Sequence, residues 1–321
     1  MESEIVSEFL PFVRIYKDGT IKRLIGNDII PTSLDPSNDV VSKDVVYSPE
    51  HNLSVRLFLP HKAAAAADGE KKLPLLIYIH GGAWIIESPF SPIYHNYVAA
   101  VAKSANCLAV SVQYRRAPEH PVPAAYEDVW SAIQWTFSHA NGSGGPEDWI
   151  NKHADFGRVF LAGDSAGGNI SHHLAMKAGE EKKLGIKIKG IGVVHPAFWG
   201  TDPVDEFDVQ DKETRSGIAE VWEKVASPNS VNGTDDPLFN VNGSGSDFTG
   251  LGCEKVLVAV AGKDVFARQA LAYAAKLEKS QWGGTVEVVE EKDEGHVFHL
   301  QKPDSDKALK FLNKLVDFIS G

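Results

Sequence analysis

Two hydropathy periods divide the chain. Up to about residue 60, apolar and polar positions alternate. "FVRIYKDGTIKRLIG" (12–26) swings around Asp18-Gly19, a hairpin signal, while "VVSKDVVYS" (40–48) and "LSVRLFLP" (53–60) form a second alternating pair. From residue 73 the character changes. "LPLLIYIHGG", "CLAVSVQYR", "RVFLAGDS", "KIKGIGVVHP" and "KVLVAVAGKD" are near-continuous runs of Val, Ile and Leu, the signature of parallel strands buried on both faces, and "TVEVVEEKDEG" ends the series. Helical periods fall between them, at roughly 92–104, 123–139, 167–179, 264–280 and 303–319. Antiparallel strands followed by alternating β and α predict one doubly wound sheet of about eight strands covered by helices. "KAAAAADGEKK" (62–72) reads as an exposed, length-tolerant loop.

Such sheets gather their chemistry at the carboxyl ends of the strands. The residues just past those ends are informative. His80-Gly81-Gly82-Ala83-Trp84 follows "LLIYI", Asp164-Ser165 follows "RVFLAG", Asp264 follows the strand at 255–263, and His296 follows the last strand. Gly163-Asp164-Ser165-Ala166-Gly167 also fits G-x-S-x-G. That motif is weak alone. Joined to a glycine-rich loop, an acid and a histidine in the order Ser, Asp, His, it becomes specific.

The expected roles follow from chemistry. A serine hydroxyl is a poor nucleophile near neutral pH, so Ser165 needs a base, for which His296 is the candidate. Asp264 would hold the tautomer of His296 and stabilise its imidazolium. Backbone amides of Gly81, Gly82 and Ala166 would receive the developing oxyanion, since absent side chains permit close approach. Asp264 could also cap the helix after it. Asp293 and Glu294 lie too near His296 to replace it. His299 reads as packing, and His80 as a brace of its own loop. The tandem His172-His173 lacks a third ligand at metal spacing, so no metal is expected. Trp84, Ile85, Phe198, Trp199, Val265, Phe266 and Val297 flank these positions and are candidates for an apolar substrate pocket.

Composition narrows the setting. The 321 residues are 43% hydrophobic and 23% charged, with 43 acidic and 32 basic residues for a net charge of −11, which argues against a nucleic-acid partner. The acidic "MESEIVSEFL" is not expected to act as a secretory signal, and no apolar run is long enough to span a bilayer. Cys107 and Cys253 stand far apart and are expected as buried, reduced thiols, consistent with a cytoplasmic location.

"HGGAW", "YRRAPEHPVPAAYED", "GDSAGGNI", "GKDVF" and "EGHVFHL" together resemble the plant carboxylesterases of the hormone-sensitive-lipase-like (GDXG) group of α/β hydrolases. The similarity covers essentially the whole chain, including "PFVRIYKDGTIKRL" and "DDPLFNV". It implies the α/β-hydrolase fold as a single domain, 1–321, with a cap built from about 1–40 and 198–247. It also implies hydrolysis of small, fairly apolar carboxylic esters without a cofactor, and carries nucleophile, acid and base onto Ser165, Asp264 and His296, with Gly81, Gly82 and Ala166 as oxyanion donors. One departure stands out: the usual HGGG reads HGGA, with Ala83 for the third glycine. Two similar classes differ in chemistry. Gibberellin receptors lack the catalytic histidine, and hydroxyisoflavanone dehydratases often carry threonine for serine. Having both Ser165 and His296 disfavours these readings. Oligomeric state and the natural ester are left open.

Overall fold

In the computed structural model, residues 4–35, 37–64, 72–140, 144–181 and 185–321 are described. The first strands, β1 (Ile5–Phe9), β2 (Val13–Tyr16) and β3 (Ile21–Arg23), form a small antiparallel sheet of their own. The Asp18-Gly19 turn joins β2 to β3 as expected, with Asp18 Oδ1 accepting from Thr20 N at 2.9 Å. β4 (Val40–Ser48) and β5 (Leu53–Pro60) make the second predicted pair. The alanine-rich stretch opens on a helical turn, α1 (His61–Ala64), rather than a loop, and its residues 65–71 lie outside the described ones.

The rest alternates. β6 (Leu73–Ile79), α2 (Pro92–Ala105), β7 (Leu108–Val112), α3 (Ala124–Phe137) and the short α4 (Asp148–His153) lead to β8 (Ala154–Asp164) and α5 (Ala166–Glu180). β9 (Ile188–Val194), α6 (Lys212–Val221), β10 (Cys253–Ala261), α7 (Ala267–Lys279), β11 (Thr285–Glu291), α8 (Phe298–Gln301) and α9 (Asp306–Ser320) complete the chain. A single π-helical turn, Trp222–Ala226, continues α6. The α/β-hydrolase fold expected from the sequence is thus present: an eight-stranded sheet, β11-β10-β9-β8-β6-β7-β5-β4, parallel from β11 to β7 and antiparallel only through β5 and β4.

Local sequence accounts for the element ends. Ser91 precedes Pro92 at the start of α2, where proline's missing N–H costs nothing, and Asn106 stops the helix in a left-handed conformation at φ 45°. All seven side chains of β6 are buried, as a strand flanked by helices on both faces requires. The strand order sets the position of the chemistry. From β6 the chain crosses to β7 on one side, then returns to place β8 on the other. Loops after β6 and β8 therefore diverge and open a crevice between them.

Candidate active site

Ser165 occupies the single position between β8 and α5, with φ 53° and ψ −119°. A non-glycine residue there costs on the order of 1–3 kcal/mol and persists only where its surroundings over-determine it. They do. Ser165 N donates to Val194 O at 2.9 Å, and Ser165 O accepts from Asn169 N and Ala197 N at 3.1 and 3.0 Å. The flanking glycines are steric necessities. A Cβ on Gly167 would lie 2.0 Å from Ile79 O, and one on Gly163 would lie 2.5 Å from Gly167 O and Ile79 O. Gly168 is less crowded, its nearest atoms being Gly163 O at 3.0 Å and Pro196 Cβ at 3.3 Å.

The turn aims Ser165 Oγ at His296, whose Nε2 is 2.9 Å away. His296 Nδ1 lies 2.7 Å from Asp264 Oδ2, and Asp264 Oδ1 accepts from Phe266 N at 3.0 Å. The Asp264 side chain is 1% exposed and that of His296 33%. A buried carboxylate facing Nδ1 keeps the proton there, so the Nε2 lone pair faces the hydroxyl. An imidazole held this way can take the hydroxyl proton. Glu294 and Asp293 instead face Lys307, at 3.1 and 3.9 Å.

The His296 loop has its own anchor. Val297 sits at φ 49°, and its N–H donates to Nδ1 of buried His195 at 3.1 Å. Burial pushes the His195 pKa well down, so the ring stays neutral and can accept. His299 packs against Tyr97 and His195 with ring centroids 4.9 and 5.3 Å apart.

After β6, Gly82, Ala83 and Trp84 all have positive φ, at 96°, 54° and 62°. Three left-handed residues in a row curl the loop over the end of β8. The amide of Gly81, expected to face the reacting group, is already used: it donates to Tyr94 Oη at 2.9 Å. Tyr94 Oη in turn donates to Asp164 Oδ2 at 2.8 Å, and Tyr78 Oη donates to Asp164 Oδ1 at 2.9 Å. Among the described residues the Gly82 and Ala83 amides have no acceptor, and Ala166, opening α5, has none within its helix. Burial raises the Asp164 pKa to about 6, and the two tyrosine hydroxyls hold it from rising further.

A family model for the alpha/beta hydrolase fold matches residues 76–300. The chain is 82% identical over 321 residues, all of both chains, to "Probable carboxylesterase 5" of Arabidopsis thaliana. This chain belongs to that family, among the plant carboxylesterases. It is also 72% identical to "Probable carboxylesterase 4, mitochondrial" of the same plant, over 99% of this chain and 84% of the relative. In three dimensions it resembles an esterase of Pyrobaculum calidifontis, with a TM-score of 0.68 and 22% identity over 87% of this chain and 84% of the other, a likeness of fold.

In this hydrolase a cavity of about 570 Å³ opens onto Ser165 and His296. Trp84, Phe266 and Val297 line it as the sequence suggested. Ile85, Phe198, Trp199 and Val265 do not. The left-handed run turns Ile85 away into a cluster with Val13 and Val225. Phe198 packs on Tyr273 of α7 and Trp199 stacks edge-on against Phe266 from behind, while Val265 is half-buried outside the cavity wall. Much of the wall comes from elsewhere. Leu10, Phe12 and Ile25 arrive from the N-terminal sheet and its flanks, and Thr214, Gly217, Ile218 and Val221 from α6. The latter recur at i, i+3, i+4 and i+7, a helical stripe that "KETRSGIAEV" carries in its own sequence.

The remaining polar candidates are structural. His80 Nδ1 lies 2.8 Å from Gly81 O and its ring stacks on Tyr114, which fits a loop brace. Burial pushes its pKa down to about 3. His172 Nδ1 lies 3.1 Å from Tyr273 Oη, and His173 Nε2 lies 3.2 Å from Leu238 O. Cys107 and Cys253 are unpaired thiols, the first buried and the second, unlike the expectation, only partly so. No helix among the described residues is long and apolar enough to cross a membrane.

Proposed function

We propose that this carboxylic ester hydrolase is a serine carboxylesterase with Ser165 as nucleophile, His296 as general base and acid, and Asp264 as the partner of His296. Ser165 Oγ attacks the ester carbonyl carbon while its proton passes to His296 Nε2. The tetrahedral oxyanion is received by the amides of Gly82, Ala83 and Ala166, and Gly81 braces their loop through Tyr94. Each such donor contributes about 3–4 kcal/mol to lowering the barrier. Protonated Nε2 then delivers its proton to the leaving alcohol, and water releases the acyl group by the same steps in reverse. On this reading Ala83 keeps the backbone N–H of the glycine it replaces, while its methyl group narrows the approach to the oxyanion amides. The observation carrying the proposal is the unbroken chain Ser165 Oγ to His296 to Asp264 at 2.9 and 2.7 Å.

The apolar wall of the cavity supports small, fairly apolar esters as substrates. We read residues 1–40 and 198–247 as a cap on a single catalytic domain spanning 1–321, since both contribute to that wall. A cytoplasmic location belongs to the same proposal and is tested by a fluorescent fusion in plant cells. The decisive experiment is Ser165→Ala with p-nitrophenyl butyrate. Turnover is expected to fall about a thousandfold or more, with loss of labelling by a serine-directed phosphonate. Retained hydrolysis would refute the assignment.

A further inference from the structure

One position on the cavity wall carries no side chain although the helix around it would be better served by one. Gly217 lies in the middle of α6, where glycine destabilises a helix relative to alanine. The other glycines within described α-helices are crowded. A Cβ on Gly167, Gly168 or Gly179 would lie 2.0, 3.0 or 1.8 Å from a backbone oxygen. A Cβ on Gly217 would meet no packed atom within 4 Å, and its backbone is not left-handed. Alanine would fit there and hold the helix better. What glycine adds is space.

That space adjoins the reacting groups, because α6 runs from one side of the site to the other. Near its start, Arg215 Cζ lies 4.5 Å from the centre of the Trp199 ring, and Trp199 stands edge-on to Phe266 at 5.7 Å. The Phe266 ring is in turn 5.4 Å from that of His296, where the leaving alcohol takes its proton. At the other end, Val221 packs with Ala83 against Ile85 and Val225, and Trp222 meets Trp84 edge-on at 5.2 Å, beside the proposed oxyanion amides. Thr214, Gly217, Ile218 and Val221 line the cavity between these two walls, over a helix length of about 10 Å. The exposed lining residues Leu10, Ile25 and Ile93 are apolar, so the clearance suits hydrocarbon rather than a polar group.

We propose that Gly217 is a specificity-determining residue: by carrying no side chain it leaves room beside α6 for the hydrocarbon chain of the ester, and so sets the longest ester that the cavity accepts. The proposal rests on the serine-esterase reading of the same cavity.

The test measures kcat/KM for the wild type, Gly217→Ala and Gly217→Leu in two series. One lengthens the acyl group (p-nitrophenyl acetate, butyrate and octanoate), the other the alcohol (ethyl, butyl and octyl acetate). In at least one series the ratio of longest to shortest ester should fall about tenfold in Gly217→Leu and by less in Gly217→Ala. Both variants should melt at or above the wild-type temperature, since the helix gains and nothing is crowded. A fall of less than about threefold in both series for Gly217→Leu overturns the proposal. So does a wild type unable to turn over the octanoate and octyl esters. A variant that melts well below the wild type also overturns it, because the glycine would then serve packing. These outcomes leave the Ser165 mechanism intact; its failure shows separately, as enzymatic turnover of p-nitrophenyl acetate surviving Ser165→Ala.

Discussion

Replacing Tyr94 by Phe removes one oxygen from the centre of the Asp164–Tyr94–Gly81 chain. The ring stays in the cavity wall, so packing is nearly conserved. Two buried groups lose a partner: the Gly81 amide, bonded at 2.9 Å, and Asp164 Oδ2, bonded at 2.8 Å. At about 1–3 kcal/mol for each unsatisfied buried group, less the desolvation that the lost hydroxyl no longer incurs, the fold should weaken by about 3 kcal/mol. Activity should suffer as well, because Gly81 no longer fixes the next two amides. A displacement approaching 1 Å at a positioning group costs up to about a hundredfold, so kcat for p-nitrophenyl butyrate should drop roughly ten- to a hundredfold while KM moves little. Urea unfolding and steady-state kinetics measure both. If stability falls but kcat stays within about twofold, the chain holds the sheet together and Gly81 does not position the oxyanion amides.

Two further outcomes follow from single positions. Gly167→Ala would drive a Cβ to 2.0 Å from Ile79 O, so β6 and α5 must separate; a loss on the order of 4 kcal/mol or outright misfolding is expected, and a wild-type melting temperature would show that the elbow is looser than its geometry. Asp164 binds its proton more tightly folded than unfolded, with a pKa of about 6 against the ordinary 3.8. Its contribution is therefore fully present below about pH 4 and lost as pH rises through about 6, a difference of roughly 3 kcal/mol. Buried neutral histidines such as His80 and His195 add the opposite trend to both proteins, so the quantity to follow is the difference in unfolding free energy between the wild type and Asp164→Asn. From about pH 4 to pH 7 it should move against the wild type by roughly 3 kcal/mol, and parallel curves would contradict this.

Periodicity, glycines and caps are local properties, and what depends on them can be read along the chain. The doubly wound sheet, the five main helices to within a few residues, and the positions of Ser165, Asp264 and His296 at strand ends were all legible, because parallel buried strands announce themselves in apolar runs and their ends follow by counting. The three-stranded N-terminal sheet was legible only in part, since β1 pairs with β2 across a short irregular register that leaves little alternation. The amide geometry was not legible at all. Tyr94 reaches Gly81 from α2 and Asp164 from 70 positions away, and no local pattern in the chain records which hydroxyl will meet which amide. The cavity behaves the same way: Phe12, Ile218 and Glu87 meet only because separate segments cover the strand ends. Which groups face the substrate space is settled by packing, because burial and hydrogen-bond partnership are properties of the packed whole, whereas strand and helix preferences are written within a few residues of each position.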